Sequence, residues 1–173
     1  YRTRQYDEAI EAAVTGRRIQ SWNEAWWRLE AISLLKVGRY EEAHELLTQG
    51  LSSRYFGIRL RLIARKAALY ADDPRRADQI LDEIDNNIRR RGRYSYDPDS
   101  LVAIGEAAIL LGIEPRIVLE NFYKRAQTEQ DPTASAFLAS GNLALAKSDF
   151  KLASKNFQEG LQHHPGDPNL WYG

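Results

Sequence analysis

The sequence predicts an all-α chain, an α-solenoid of stacked antiparallel helix pairs, and three observations carry that prediction. A pattern recurs with a period of about 34 residues, apolar positions fall at helical spacing, and helix-start signals keep phase with the repeat. Tyr6-Asp7-Glu8-Ala9 returns one period later as Tyr40-Glu41-Glu42-Ala43, and the next step reaches Pro74-Arg75-Arg76-Ala77. Leu119, Tyr123 and Ala126 are followed at the same interval by Ala153, Phe157 and Gly160. The two halves are out of phase by eight residues, since Ala77 to Leu119 is 42. That excess falls in Arg89 to Ser100, rich in Arg, Gly, Tyr, Asp and Pro, and predicts an irregular loop around Arg91 to Asp97.

Taken in order, residues 1–18 hold a lone second helix, at about Gln5 to Arg17. Four complete pairs follow at about 22–52, 57–90, 98–128 and 132–163, and a further first helix opens in 168–173. The whole, nine full or near-full helices, reads as one array over 1–173. Each first helix carries a bulky and then two small or apolar residues at i, i+4 and i+7: Trp27, Ala31 and Leu34; Leu60, Ala64 and Ala67; Leu101, Gly105 and Ala108; Phe137, Gly141 and Ala144. A large side chain needs an alanine or glycine opposite it if two helix axes are to approach to about 8–10 Å. Ala43, Ala77 and Ala153 are therefore expected at tight contacts, with Trp27, Phe137 and Phe157 buried. Asp97-Pro98, Asp131-Pro132 and Asp167-Pro168 each place a capping aspartate before a proline at the first helical position, and Asp73-Pro74 opens a second helix likewise. Gly38, Gly112 and Gly166 lie just past periodic runs as stop signals. No alternating run suggests a strand.

Trp27, Ala31, Leu34, Gly38, Tyr40, Ala43, Leu47 and Gly50 together resemble the tetratricopeptide repeat, a helix–turn–helix unit. Phe137, Gly141, Ala144, Phe150, Ala153, Phe157, Gly160 and Pro165 resemble it again, and Trp171 restarts the cycle. The second and third pairs depart from the pattern, with extra residues in the turn within each pair and Pro74 in place of the turn aromatic. The stretches Leu119 to Ala126 and Leu138 to Ala146 also resemble N-terminal repeat arrays of large bacterial proteins that end in a zinc metallopeptidase domain. The family resemblance implies a right-handed superhelix whose first helices line a concave groove. Carried over position by position, it implies groove residues Arg28, Ile32, Arg61, Arg65, Val102, Glu106, Leu138 and Asn142, with Ile109 beside them. The lysine-and-asparagine clamp that some members use for a terminal carboxylate is not reproduced, because Asn142 stands beside Leu138. The cationic half of that surface would suit an acidic segment; the alternative is that Arg65 simply pairs with Glu106 across adjacent units.

Composition narrows the function classes. The 173 residues carry 24 basic and 24 acidic groups, with 43% apolar and 28% charged residues, the balance of a globular domain. Residues 1–94 hold 18 basic against 14 acidic groups, and residues 95–173 hold 6 against 10. Zero net charge argues against a dedicated nucleic-acid binder. The run Arg89-Arg90-Arg91-Gly92-Arg93, with Tyr94 and Tyr96, is the one basic and aromatic patch, and is read first as a solvated loop. The chain has no cysteine, and its longest uncharged run, Pro132 to Ala146, is too short to span a bilayer. It starts at Tyr1 and has no methionine, so a fragment of a longer chain is expected.

Catalytic signatures are missing. No HExxH, GxGxxG, P-loop or GxSxG string occurs. His44 is expected on a charged, solvated face, while His163 and His164 close a helix where imidazolium suits the dipole. Neither has the companions of a metal site. Trp22 and Trp26 are read as core or as a cap on the N-terminal helix. The expected function is a non-catalytic protein-interaction or scaffolding module, without cofactor or metal, binding a protein or acidic peptide or another domain of the same chain. One alternative is a substrate-positioning array of an enzyme, such as a metallopeptidase, whose catalytic domain lies beyond Gly173. A minor one is nucleic-acid binding through the arginine loop.

Overall fold

A lone helix pair leaves its apolar stripe open to water, so each pair must be covered by the next. The computed structural model describes residues 2–52, 57–91 and 97–172. Within them run α1 (Arg2–Ile19), α2 (Glu24–Lys36), α3 (Tyr40–Leu51), α4 (Ile58–Tyr70), α5 (Pro74–Arg91) and α6 (Pro98–Leu110). There follow α7 (Pro115–Val118), a π turn (Leu119–Tyr123), α8 (Lys124–Thr128), α9 (Ala134–Ala146), α10 (Phe150–His163) and α11 (Pro168–Trp171). Counting α7 through α8 as one run, nine full helices and the short α11 stand among the described residues, and no strand does. The expected loop lies mostly outside the described residues, as do Gly92, Arg93, Tyr94 and Tyr96 of the basic run.

The chain divides into two compact units, Tyr1–Arg89 and Arg90–Gly173. In the first, α2 packs against α1, α3 and α4. In the second, α9 packs against α6, α8, α10 and α11. The same device holds both: an aromatic ring seated on a glycine. Trp26 lies on Gly16, Tyr123 on Gly105 and Phe157 on Gly141, and a Cβ added at Gly50 would stand 2.7 Å from Cε3 of Trp27. Ala43, Ala77 and Ala153 are buried, as are Trp27, Phe137 and Phe157. Trp26 thus caps the N-terminal helix as expected. Trp22 does not, for it is 70% exposed at the α1–α2 turn.

Two turns need a left-handed residue, and glycine supplies it at Gly38 (φ +82°) and Gly112 (φ +81°). In the other two pairs Asp72 (φ +56°) and Ser148 (φ +59°) occupy that conformation with a side chain attached. Ser148→Gly is therefore expected to stabilise the second unit by about 0.5–1 kcal/mol, the relief of the Cβ clash less the added freedom of the unfolded chain. A shift of the urea midpoint checks it.

Helix starts follow the aspartate–proline reading at three of four places. Asp97 accepts from the Ser100 amide at 3.0 Å, Asp167 from Asn169 at 2.8 Å, and Asp73 from Arg76 at 3.0 Å. Asp131 does not cap. There the helix starts at Ala134 after Thr133, because the Thr133 and Ser135 hydroxyls are drawn to the Asp99 carboxylate at 2.9 and 2.6 Å. In the first unit the Glu24 carboxylate reaches the next first helix similarly, accepting from the Gly57 amide at 2.6 Å.

The π turn corrects the alignment of the third pair. Val118 is fully buried and Leu119 is only partly so, and the step from Val118 to Tyr123 is one longer than that from Ala153 to Phe157. The wider turn absorbs the extra residue, so Val118 takes the position of Ala43, Ala77 and Ala153, and Leu119 is displaced from it. Tyr123 then lies against Gly105, and burial raises its phenol above the ordinary tyrosine range, with nearby Glu106 adding to the rise.

Candidate functional site

The face expected to bind is built from first helices, α2 and α4 in one unit and α6 and α9 in the other. In the first unit Arg28 and Ile32 stand one turn apart on α2, and Arg61 and Arg65 one turn apart on α4, which packs beside it. The four side chains have different surroundings. The Arg61 side chain is 11% exposed, with Nε 3.7 Å from Oε2 of Glu83, and its Nη1 donates to the Gly57 carbonyl at 3.4 Å. Arg76 holds the other Glu83 oxygen at 2.9 Å, so Arg61 is committed to a structural cluster. Arg28 and Arg65 are half-buried and make no ion pair among the described residues. Nε of Arg65 is buried without a hydrogen-bond partner among them, and Ile32 is 39% exposed.

In the second unit Val102 is buried in a cluster with Leu101, Val118 and Tyr123, leaving little of it for a ligand. Ile109 packs against that cluster, and Leu138 against the one around Phe137 and Phe157. Glu106 and Asn142 are exposed. This half of the expected set is thus mostly core, with two polar residues at the surface. Arg65 and Glu106 belong to different units.

The histidines are held by their neighbours. His44 is half-buried, not solvated as its neighbours in sequence suggest: its Nε2 lies 3.5 Å from Oδ2 of Asp73, the residue that caps α5. Nε2 of His164 is 2.8 Å from the Pro132 carbonyl, and His163 stacks on Phe137 with ring centroids 5.3 Å apart. Among the described residues no group of three or more His, Asp or Glu could hold a metal, and no helix is long and apolar enough to cross a membrane. Arg89 pairs with Asp85 at 2.7 Å, and that hydrogen bond raises its pKa above the ordinary value.

One feature of the first unit is not legible from the groove positions. A cavity of about 320 Å³ opens between α2 and α4, lined by Ile32, Leu35, Lys36, Tyr40, Ile63, Lys66 and Tyr70. The rings of Tyr40 and Tyr70 are 5.0 Å apart at 52°, and Nζ of Lys66 sits 5.5 Å over Tyr70. The available signal was a second stripe on α4, Ile63, Lys66 and Tyr70 at i, i+3 and i+7, off the positions that carry the repeat.

Helix pairs of repeat length, with bulky side chains seated on glycines of their neighbours, define an all-α helical-repeat fold. No family model matches the sequence. The general transcriptional corepressor trfA of Dictyostelium discoideum is 28% identical over 107 residues, which is 60% of this chain and 7% of that protein. The chain thus spans less than a tenth of that relative's length. A solved structure of YrrB, described as a TPR protein with an unusual peptide-binding site, aligns with 98% of this chain and 83% of that one at 16% identity and a TM-score of 0.43.

Proposed function

We propose that this chain is a non-catalytic protein-binding module and that the α2–α4 face of its first unit takes an acidic protein segment. The observation that supports this reading is the pair Arg28 and Arg65, two half-buried guanidinium groups without an acidic partner among the described residues. A partly desolvated cation left unpaired is costly, and a carboxylate from a partner offsets that cost while adding bidentate geometry. Ile32 beside them offers apolar surface. Arg61 is left out of the contact, since Glu83 already engages it.

A labelled peptide of alternating glutamate and serine tests the reading by fluorescence anisotropy. Arg28→Glu/Arg65→Glu is expected to weaken binding by about tenfold or more, and added salt to weaken the wild type. Equal affinity in the variant and the wild type would remove the basic face from function. Circular dichroism of the variant keeps loss of fold apart from loss of binding.

A further inference from the structure

We infer that the cavity between α2 and α4 receives one bulky apolar side chain of a bound segment, flanked on each side by carboxylates that meet Lys36 and Lys66. The inference rests on the reading that this unit binds an acidic segment, and adds what that segment must contain. The cavity's lining includes the apolar Ile32, Leu35 and Ile63, and its volume of about 320 Å³ exceeds that of a leucine or phenylalanine side chain. None of the lining residues is acidic. Lys36 and Lys66 are exposed and make no ion pair among the described residues. Both ammonium groups line the cavity, and no lining residue carries the opposite charge. A pair of carboxylates with a hydrophobic residue between them answers both halves of the site.

The tyrosines complete the match. Tyr70 is 50% exposed, and its ring lies under the Lys66 ammonium, a cation–ring contact within the cavity lining. Tyr40, the first residue of α3, also lines the cavity and tilts against Tyr70. Both phenols are hydrogen-bond donors that can serve a carboxylate. Ile32 is shared between this cavity and the face that carries Arg28, so one extended segment can engage the arginines and place a side chain in the cavity. An acidic segment without an apolar residue would use the arginines alone.

Two peptides test this, one alternating glutamate and serine around a central leucine and one with alanine at the centre. The leucine peptide is expected to bind about tenfold more tightly, from burial of one aliphatic side chain. The methyl resonances of Ile32 and Ile63 should move with the leucine peptide and much less with the alanine one. Ile63→Gln should erase the preference, and Lys36→Glu/Lys66→Glu should weaken the leucine peptide about tenfold. Arg28→Glu/Arg65→Glu should weaken both peptides alike and leave the preference standing. Equal binding of the two peptides to wild type, or unmoved methyl resonances, overturns the cavity while the arginine face survives. A leucine preference that persists when the arginine variant binds as wild type overturns the face and keeps the cavity. Absence of binding by either peptide overturns both.

Discussion

Phe157→Ala is expected to destabilise the second unit by about 3–5 kcal/mol, the cost of removing a large buried ring and leaving a cavity. The ring is 6% exposed and belongs to the cluster of Phe137, Ala144, Ala153 and Leu170. It is also the partner of Gly141, where any Cβ would collide with it. Gly141→Ala alone should therefore cost about 1–3 kcal/mol by overpacking, against a helix-propensity gain of about 1 kcal/mol. The two substitutions are not additive. Placed together, the new methyl enters the space the ring vacated, and the double variant should be more stable than the sum of the single losses predicts. Urea unfolding followed by circular dichroism measures all four proteins. Additive losses would mean that ring and glycine do not share one contact.

Gly141 and Phe157 also show why so much of the architecture was legible. The pairing of one bulky with one small residue is imposed by the approach of two helix axes, so it recurs at each contact and survives a shift of phase. Ala43 and Ala77 lie one repeat apart, Ala153 follows two repeats and the phase shift later, and all three are buried. What escaped depends on partners distant in sequence or on local slips. Val118 and Leu119 are both branched and apolar, so periodicity favoured Leu119, and only the π turn decides for Val118. Asp131 has every attribute of a cap, yet the helix begins later because Asp99, from the preceding first helix, holds the Thr133 and Ser135 hydroxyls. His44 has an acid beside it in sequence, but the Asp73 carboxylate it faces comes from the next pair. The groove residues were read from position alone, and position does not reveal that Glu83 engages Arg61 or that Val102 is covered. The buried Ser140 and Asn156 are likewise joined by a residue remote in sequence, the Gln127 amide, which donates to both at 2.9 Å.

Arg17→Met should cost the first unit about 3 kcal/mol, toward the lower end of what breaking a buried ion pair costs, because the arginine is one-quarter exposed. Arg17 on α1 reaches Glu30 on α2 with Nε 2.8 Å from Oε2 and Nη2 3.3 Å from Oε1, and the Glu30 side chain is only 8% exposed. The guanidinium carbon also lies 4.7 Å from the ring centroid of Trp27, whose indole NH donates to the Ser21 carbonyl at 2.8 Å. Methionine preserves the stem that covers the indole, so packing on Trp27 is largely retained. What is lost is the partner of a carboxylate with almost no access to water. Replacing both members separates that charge penalty from packing: Arg17→Met/Glu30→Leu should recover most of the loss, because a desolvated pair exchanged for apolar groups of similar volume is close to neutral. Tryptophan fluorescence reports on the unit directly, since Trp26 and Trp27 of α2 both meet α1, at Gly16 and Arg17. If the double variant is as unstable as Arg17→Met, the loss comes from the guanidinium's contact with the Trp27 ring, and the ion pair contributes little to holding α1 on α2.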